Sequence, residues 1–382
     1  MASARDMLHD EQGRVDVKSL GRAALGDWLE SLGIGRHRTN DLVQSLWHDG
    51  ARTFEEMRRF TPELRRKMAA AGFVSWLEPA LVLQSQDGTR KILWKLRDGR
   101  TIESVVIPDG ERTTLCVSSQ VGCAMACTFC LTGDLGLVRH LLPSEIANQA
   151  LQVALLLRGD RRLTNVVFMG MGEPLHNLDH LCTALEHYQD DFGLNLSHRR
   201  ITVSTVGLVP QLVEFARRSP VNLAISLNAS SEAERLKIMP ITKKYGVDQL
   251  LDACRSIALP SGKRIAFEYV LFEGDNDAPE DAERLIELLR GIPAKVNLIP
   301  YNENPDRDIH RPDQDRVKAF QNHLIQRGLA CTVRTTRGRD ISAACGQLGK
   351  AWEQAQDRGW LAAARAAVHG EAADTTGPTE PS

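Results

Sequence analysis

Three cysteines stand close together in Cys123-Ala124-Met125-Ala126-Cys127-Thr128-Phe129-Cys130. This C-x₃-C-x₂-C spacing brings three thiolates to one inorganic centre. Three thiolates suit a four-iron cluster with one iron left open, and an open position is what catalysis at a metal requires. The alternative is a structural zinc with Cys116 as fourth ligand. Zinc sites usually pair two C-x₂-C knuckles, and no second knuckle is near. Further on, Gly170-Met171-Gly172-Glu173-Pro174 follows an apolar run ending at Phe168. Glycines at a strand end let the backbone approach a ligand closely, and a carboxylate there can pair with an ammonium group.

These residues need a scaffold, and the chain is long enough to build one. It has 382 residues, 42% apolar and 25% charged, ordinary values for a globular protein. No apolar run approaches a membrane span, and the polar start Met1 to Asp10 lacks the apolar core of a secretory signal. A cytoplasmic protein is expected, in which eight cysteines point to metal or redox chemistry rather than disulfides. The net charge of −2 excludes a basic coat but not local RNA contacts.

Residues 1–85 read as helical, with Leu25, Trp28, Leu29 and Leu32 at helical intervals. A glycine turn, Leu32 to Gly35, leads to Arg36, His37 and Arg38 and a second helix around Leu42 to Trp47. The pattern is helix-hairpin-helix-like and suits a nucleic-acid backbone, or equally a solvated helical domain. Residues 86–119 read as a linker, a three-stranded β-meander with turns at Asp98-Gly99 and Asp109-Gly110. From 120 to 349 strands alternate with helices, the pattern of a partial or closed α/β barrel of βα units, whose chemistry lies at the C-terminal strand ends. Residues 350–369 read as a C-terminal helical segment and 370–382 as a disordered tail.

The cysteine spacing, with an aromatic before the last Cys, resembles the signature of the radical S-adenosylmethionine superfamily, and the glycine motif resembles its "GGE" element. The resemblance implies one [4Fe-4S] cluster on Cys123, Cys127 and Cys130. Its open iron would chelate S-adenosylmethionine, and one electron would cleave the sulfonium to a 5′-deoxyadenosyl radical, the cofactor supplying that chemistry. Longer stretches narrow the match. Thr114 to Cys123, Gly170 to Leu175 and Asp340 to Leu348 together resemble the RlmN family of RNA adenosine C2-methyltransferases. The sister Cfr family methylates C8.

That resemblance carries residue roles. Cys345 matches the cysteine that one S-adenosylmethionine methylates, so two are used per turnover. Cys116 matches the resolving cysteine, which forms a transient disulfide with Cys345 and releases the RNA by thiol–disulfide exchange. Glu103 matches the base that takes the ring proton. Cofactor contacts carry over to Gly172, Glu173, Ser204, Ser226, Leu227, Asn228 and Asn302. The implied partners are ribosomal or transfer RNA and an electron-donor protein, with a monomer expected. Cys182, Cys254 and Cys331 lie in no motif and read as core.

Two departures from the family pattern bear on the RNA target. Asn228 stands where the family has His, and Val138-Arg139-His140 where it has Asn-Arg-Asn. Leu175 after Glu173-Pro174 favours C2 over C8. Among basic groups, Arg334, Arg337 and Arg339 adjoin Cys345 and are the expected RNA contacts. A non-catalytic RNA-binding protein with a structural zinc is the reading from another class.

Overall fold

The computed structural model describes residues 7–304, 307–349 and 365. The expectations for 350–369 and 370–382 lie outside the described residues, Arg365 apart.

The N-terminal region is mainly helical. Helix α1 (Arg22–Ser31) is followed by the left-handed Gly33 and Gly35 and a tight turn through Arg36–Arg38. Helix α2 (Pro62–Ala71) starts with Pro at its first position, and the Thr61 hydroxyl accepts from the Leu64 amide. Val15–Asp16 pairs in parallel with Gly72–Phe73 and ties the two ends of the region together. Buried Lys18 docks it on the rest: its ammonium lies 4.0 Å from the Trp76 ring centroid and donates to Asn148 at 2.9 Å.

A ten-stranded sheet forms the body, and its strands lie in chain order from edge to edge. Strands β1 (Glu78–Gln84), β2 (Arg90–Lys95), β3 (Thr101–Asp109) and β4 (Arg112–Cys116) are antiparallel neighbours. Strands β5 (Asn165–Phe168), β6 (Ile201–Thr205), β7 (Asn222–Ser226), β8 (Ile265–Leu271), β9 (Ala294–Pro300) and β10 (Cys331–Val333) follow, and every neighbouring pair from β4 onward is parallel. Crossover helices α3 (Pro143–Leu156), α4 (Leu178–Gln189), α5 (Val209–Arg218), α6 (Glu232–Ile238), α7 (Val247–Ser256), α8 (Pro279–Leu288) and α9 (Gln314–Gln326) place these strand ends on one side. Among the described residues strand β10 bonds to β9 alone, so the barrel is partial rather than closed.

The meander differs from expectation. It has four strands rather than three, because Glu78–Gln84 is a strand and not the end of the helical region. Its Ala80-Leu81-Val82-Leu83 run has no periodicity that separates helix from strand, and only pairing with β2 decides. The sequence also hid α6, whose seven residues are too few to show a period. One continuous apolar core runs from Val17 to Leu348, so the C-terminal loop is packed into the body rather than hung on it.

Candidate active site at the C-terminal strand ends

The cysteine loop is pinched at its base. Gln120–Gly122 pairs with Leu137–His140, and the Cys123 amide donates to the Gly136 carbonyl at 2.8 Å. Gly122 is required there: its φ is +75°, and a Cβ would fall 1.8 Å from the Gly136 oxygen. Ala126 adopts a left-handed φ of 51°, which turns the chain between the first two cysteines. The Thr128 amide donates to the Ile238 carbonyl, anchoring the loop on the end of α6.

Cys123, Cys127 and Cys130 face one cavity of about 860 Å³, counted with its open mouth. Burial pushes the Cys123 thiol up to about 12, and raises Cys127 and Cys130 too, with the neighbouring sulfurs opposing ionisation of Cys123 and Cys127. Three buried thiols of this kind carry no charge unless a cation compensates them. Among the described residues, no three His, Cys, Asp or Glu side chains converge closely enough for a single ion. Cys116, the fourth ligand the zinc reading needs, lines a different cavity.

The opposite wall is built by strand ends. After β5, Gly172 has φ +99°, and a Cβ there would meet Gln120 Cβ at 2.5 Å. Glu173 is buried, with its carboxylate accepting from the Leu175 amide at 3.0 Å and the Val206 amide at 2.9 Å. Burial pushes it up to about 7 despite these bonds. Ser204 and Ser226 end β6 and β7 with their hydroxyl oxygens 3.5 Å apart. Asn228 lies beyond them with φ 60°, a conformation Asn tolerates. Its oxygen accepts from the Val270 amide at 3.0 Å, so it braces β8 from the cavity wall.

Two of the expected cofactor contacts sit elsewhere. Leu227 is fully buried and lines neither cavity. Asn302 lines the second cavity, and its amide donates to the Cys345 carbonyl at 3.1 Å. Strand alternation explains the first: Ser226 faces inward, so Leu227 turns to the core.

The loop 334–349 crosses the barrel mouth and is bonded on all sides. Asp340 accepts from the Ser85 hydroxyl and the Gln86 amide, and Asp87 accepts from the Gly338 amide. Buried Lys91 donates to the Ser342 carbonyl at 2.8 Å, while the Leu131 amide donates to the Gly346 carbonyl. These anchors hold Cys345 where the first cavity meets a second of about 1100 Å³, which Cys116 lines. Cys116 and Cys345 are both free thiols. Burial pushes Cys116 up to about 12.

Glu103 lies beside this loop rather than in either cavity. It is 2% exposed, accepts from the Gly349 amide at 3.2 Å, and sits 3.7 Å from the Lys91 ammonium. Burial raises it to about 7. Of the two family departures, Asn228 stands on the wall of the first cavity, whereas Val138 and His140 line neither cavity. Val138 is exposed, and the His140 ring contacts Gln120 at 2.9 Å.

The expectation for the arginines changes. Arg334 points inward and lines both cavities. Arg339 is paired with Glu303 at 3.5 Å, and Arg337 stands on the rim of the second cavity, 3.5 Å from Asp109. Sequence reasoning also missed Glu268, a buried carboxylate on the first cavity. Its signal was there, as an acid in the otherwise apolar run Ile265 to Leu271.

A cysteine triplet at the mouth of a partial βα barrel, facing a glycine-lined wall, defines a radical S-adenosylmethionine enzyme. The radical SAM superfamily pattern accordingly matches residues 117–289. Similarity then runs along most of the chain. The dual-specificity RNA methyltransferase RlmN 2 of Myxococcus xanthus is 51% identical over 89% of this chain and 92% of that protein. The RlmN of Geobacter sulfurreducens is 47% identical over 87% and 92%. A crystal structure of a radical SAM methyltransferase from Sphaerobacter thermophilus superposes with a TM-score of 0.82 and 40% identity, over 87% of this chain and 98% of that one. The chain belongs to the RlmN family of radical SAM RNA methyltransferases.

Membership implies a [4Fe-4S] cluster and S-adenosylmethionine. The first cavity fits both: three buried thiols on one side, bare glycine backbone on the other, and a volume in the range of small-molecule sites. No helix among the described residues is long and apolar enough to cross a membrane.

Proposed function

We propose that this enzyme methylates ring carbon C2 of an adenosine in ribosomal or transfer RNA, through a methyl group carried on Cys345. The observation that carries the reading is the position of Cys345 at the junction of the two cavities, with Cys116 on the second and the cysteine triplet on the first.

In this reading Cys123, Cys127 and Cys130 hold the cluster. Gly172, Glu173, Ser204, Ser226 and Asn228 form the wall for S-adenosylmethionine, with Leu227 packed in the core behind it. Two molecules are used per turnover. The loaded site supplies a hydrogen-abstracting radical. Cys345 presents the methyl group toward the second cavity, whose rim carries Arg112 and Arg337 for phosphate. Cys116 displaces the product from Cys345, and Asn302 keeps the Cys345 backbone in place. Glu103 takes the ring proton once the Gly349 amide no longer holds its carboxylate, a role its burial-raised pKa suits. The helical N-terminal domain contacts RNA, and the enzyme acts as a cytoplasmic monomer fed by an electron-donor protein.

The C2 preference rests on Leu175 after Glu173-Pro174. Nucleoside mass spectrometry of RNA from a deletion strain tests it. Loss of 2-methyladenosine, restored by the gene, is expected. Unchanged 2-methyladenosine with loss of 8-methyladenosine would assign the C8 reaction instead.

A further inference from the structure

Four residues line both cavities: Met169, Ile299, Arg334 and Cys345. Arg334 is the charged one. It leaves the end of β10 with its amide bonded to the Leu298 carbonyl at 2.8 Å, and its guanidinium donates to Met169 Sδ at 3.3 Å. It shares both cavities with Cys345 and the second with Cys116, and the charges of Cys345, Glu268 and Cys116 favour its cationic form. Glu268 is 5% exposed. One oxygen accepts from Asn297 at 2.8 Å, and the other has no hydrogen-bond partner. The charged and titratable groups that face Arg334 are thus Cys345, Cys116 and Glu268.

We propose that Arg334 is a catalytic residue that serves the two sulfurs in turn, first Cys345 as it accepts a methyl group and then Cys116 as it attacks Cys345.

Both steps need negative sulfur. In the first, a bond forms between Cys345 Sγ and the methyl carbon. The methyl–sulfonium bond breaks, and its electron pair stays on the departing thioether. Cys345 thereby changes from an anion to a neutral thioether, and the guanidinium loses its partner. In the second, Cys116 Sγ bonds to Cys345 Sγ. The carbon–sulfur bond to the RNA breaks, and its electron pair goes to the released carbon, which takes a proton. Cys116 cannot ionise readily while Cys345 is charged beside it, because like charges oppose each other. Methylation removes that opposition and frees the cation together. Arg334 is the cation that favours ionised Cys116. Burial works against that ionisation, so the charge matters more than it would at a surface. The buried Glu268 carboxylate on the same cavity wall adds a negative charge that favours the cationic form of Arg334.

The inference rests on Cys345 as methyl carrier and Cys116 as resolving thiol. Two measurements on anaerobic, pre-reduced holoenzyme test it. The first follows methylation of Cys345 by S-adenosylmethionine without an electron source, read by peptide mass spectrometry. Arg334→Gln should slow it about tenfold or more, the equivalent of one unit of lost charge stabilisation. Raising the pH should recover part of the rate, and Arg334→Lys should lie between. Equal rates and pH profiles in wild type and Arg334→Gln would overturn the proposal. The second needs no variant. Methylating Cys345 in the wild-type enzyme should raise the rate at which iodoacetamide labels Cys116 by about tenfold. An unchanged rate would overturn the handover. If wild-type Cys345 gains no methyl group at all, the underlying functional reading fails instead.

Discussion

The two cavities are built by different means. The first is walled by short-range features: one cysteine loop, one glycine motif and the ends of neighbouring parallel strands. The second is assembled from strands well apart in the sheet, with Cys116 on β4 near its middle and Cys345 on a loop that follows the edge strand β10. The barrel is open, so the hydrogen bonds of that loop to the meander, to the cysteine loop and to Asn302 hold the two cysteines on one cavity. The difference separates two tasks. A compact loop suffices to hold a cofactor, whereas the proposed resolution of a covalent product by Cys116 requires a second sulfur approached from another direction.

If the cavities are separate in task, their variants must fail differently. Cys127→Ser should lower S-adenosylmethionine cleavage and RNA methylation together, each on the order of a thousandfold, with loss of protein-bound iron. Iron and sulfide analysis after anaerobic purification checks it; full iron content would break the assignment. Cys116→Ala should leave cleavage intact and stop the reaction with RNA bound covalently, visible as a shifted band on a denaturing gel.

Glu103→Gln should lower methyl transfer by about a hundredfold or more with cleavage retained. The pH dependence has a defined sign. As a base Glu103 must be ionised, and burial raises it to about 7, so transfer should fall as pH drops below that value. Lys91 favours the ionised form, so Lys91→Met should move the acid limb to higher pH. A limb that stays in place would separate Lys91 from the base.

The smaller effects concern the wall of the first cavity. Gly172→Ala forces a Cβ to 2.5 Å from Gln120 and a side chain into left-handed backbone, a strain of about 1–2 kcal/mol. Its S-adenosylmethionine affinity, read by calorimetry, should fall about tenfold. Val138→Asn should change little, because Val138 is exposed and lines neither cavity. A changed RNA preference in that variant would place the family departures in substrate choice after all.

What the sequence revealed follows the same division. Strands β5 to β10 and all their helices except α6 were legible, because buried parallel strands read as short apolar runs and amphipathic helices repeat every three to four residues. The first cavity was legible because its residues lie in short motifs. Asn302, read as a cofactor contact, lines the second cavity, since a strand end by itself does not tell which neighbour its side chain will meet. Arg334 was taken for a phosphate contact, since its basic neighbours Arg337 and Arg339 hid that β10 ends there and turns it inward. The charge on a residue is visible in the sequence; the direction of its side chain is set by tertiary packing.

The central claim is that Cys345 carries the methyl group across the junction of the cavities. The most direct test is Cys345→Ala, assayed for S-adenosylmethionine cleavage and for methyl transfer to RNA. Cleavage should persist while transfer falls below detection. Transfer that survives at a substantial fraction of the wild-type rate would contradict the account.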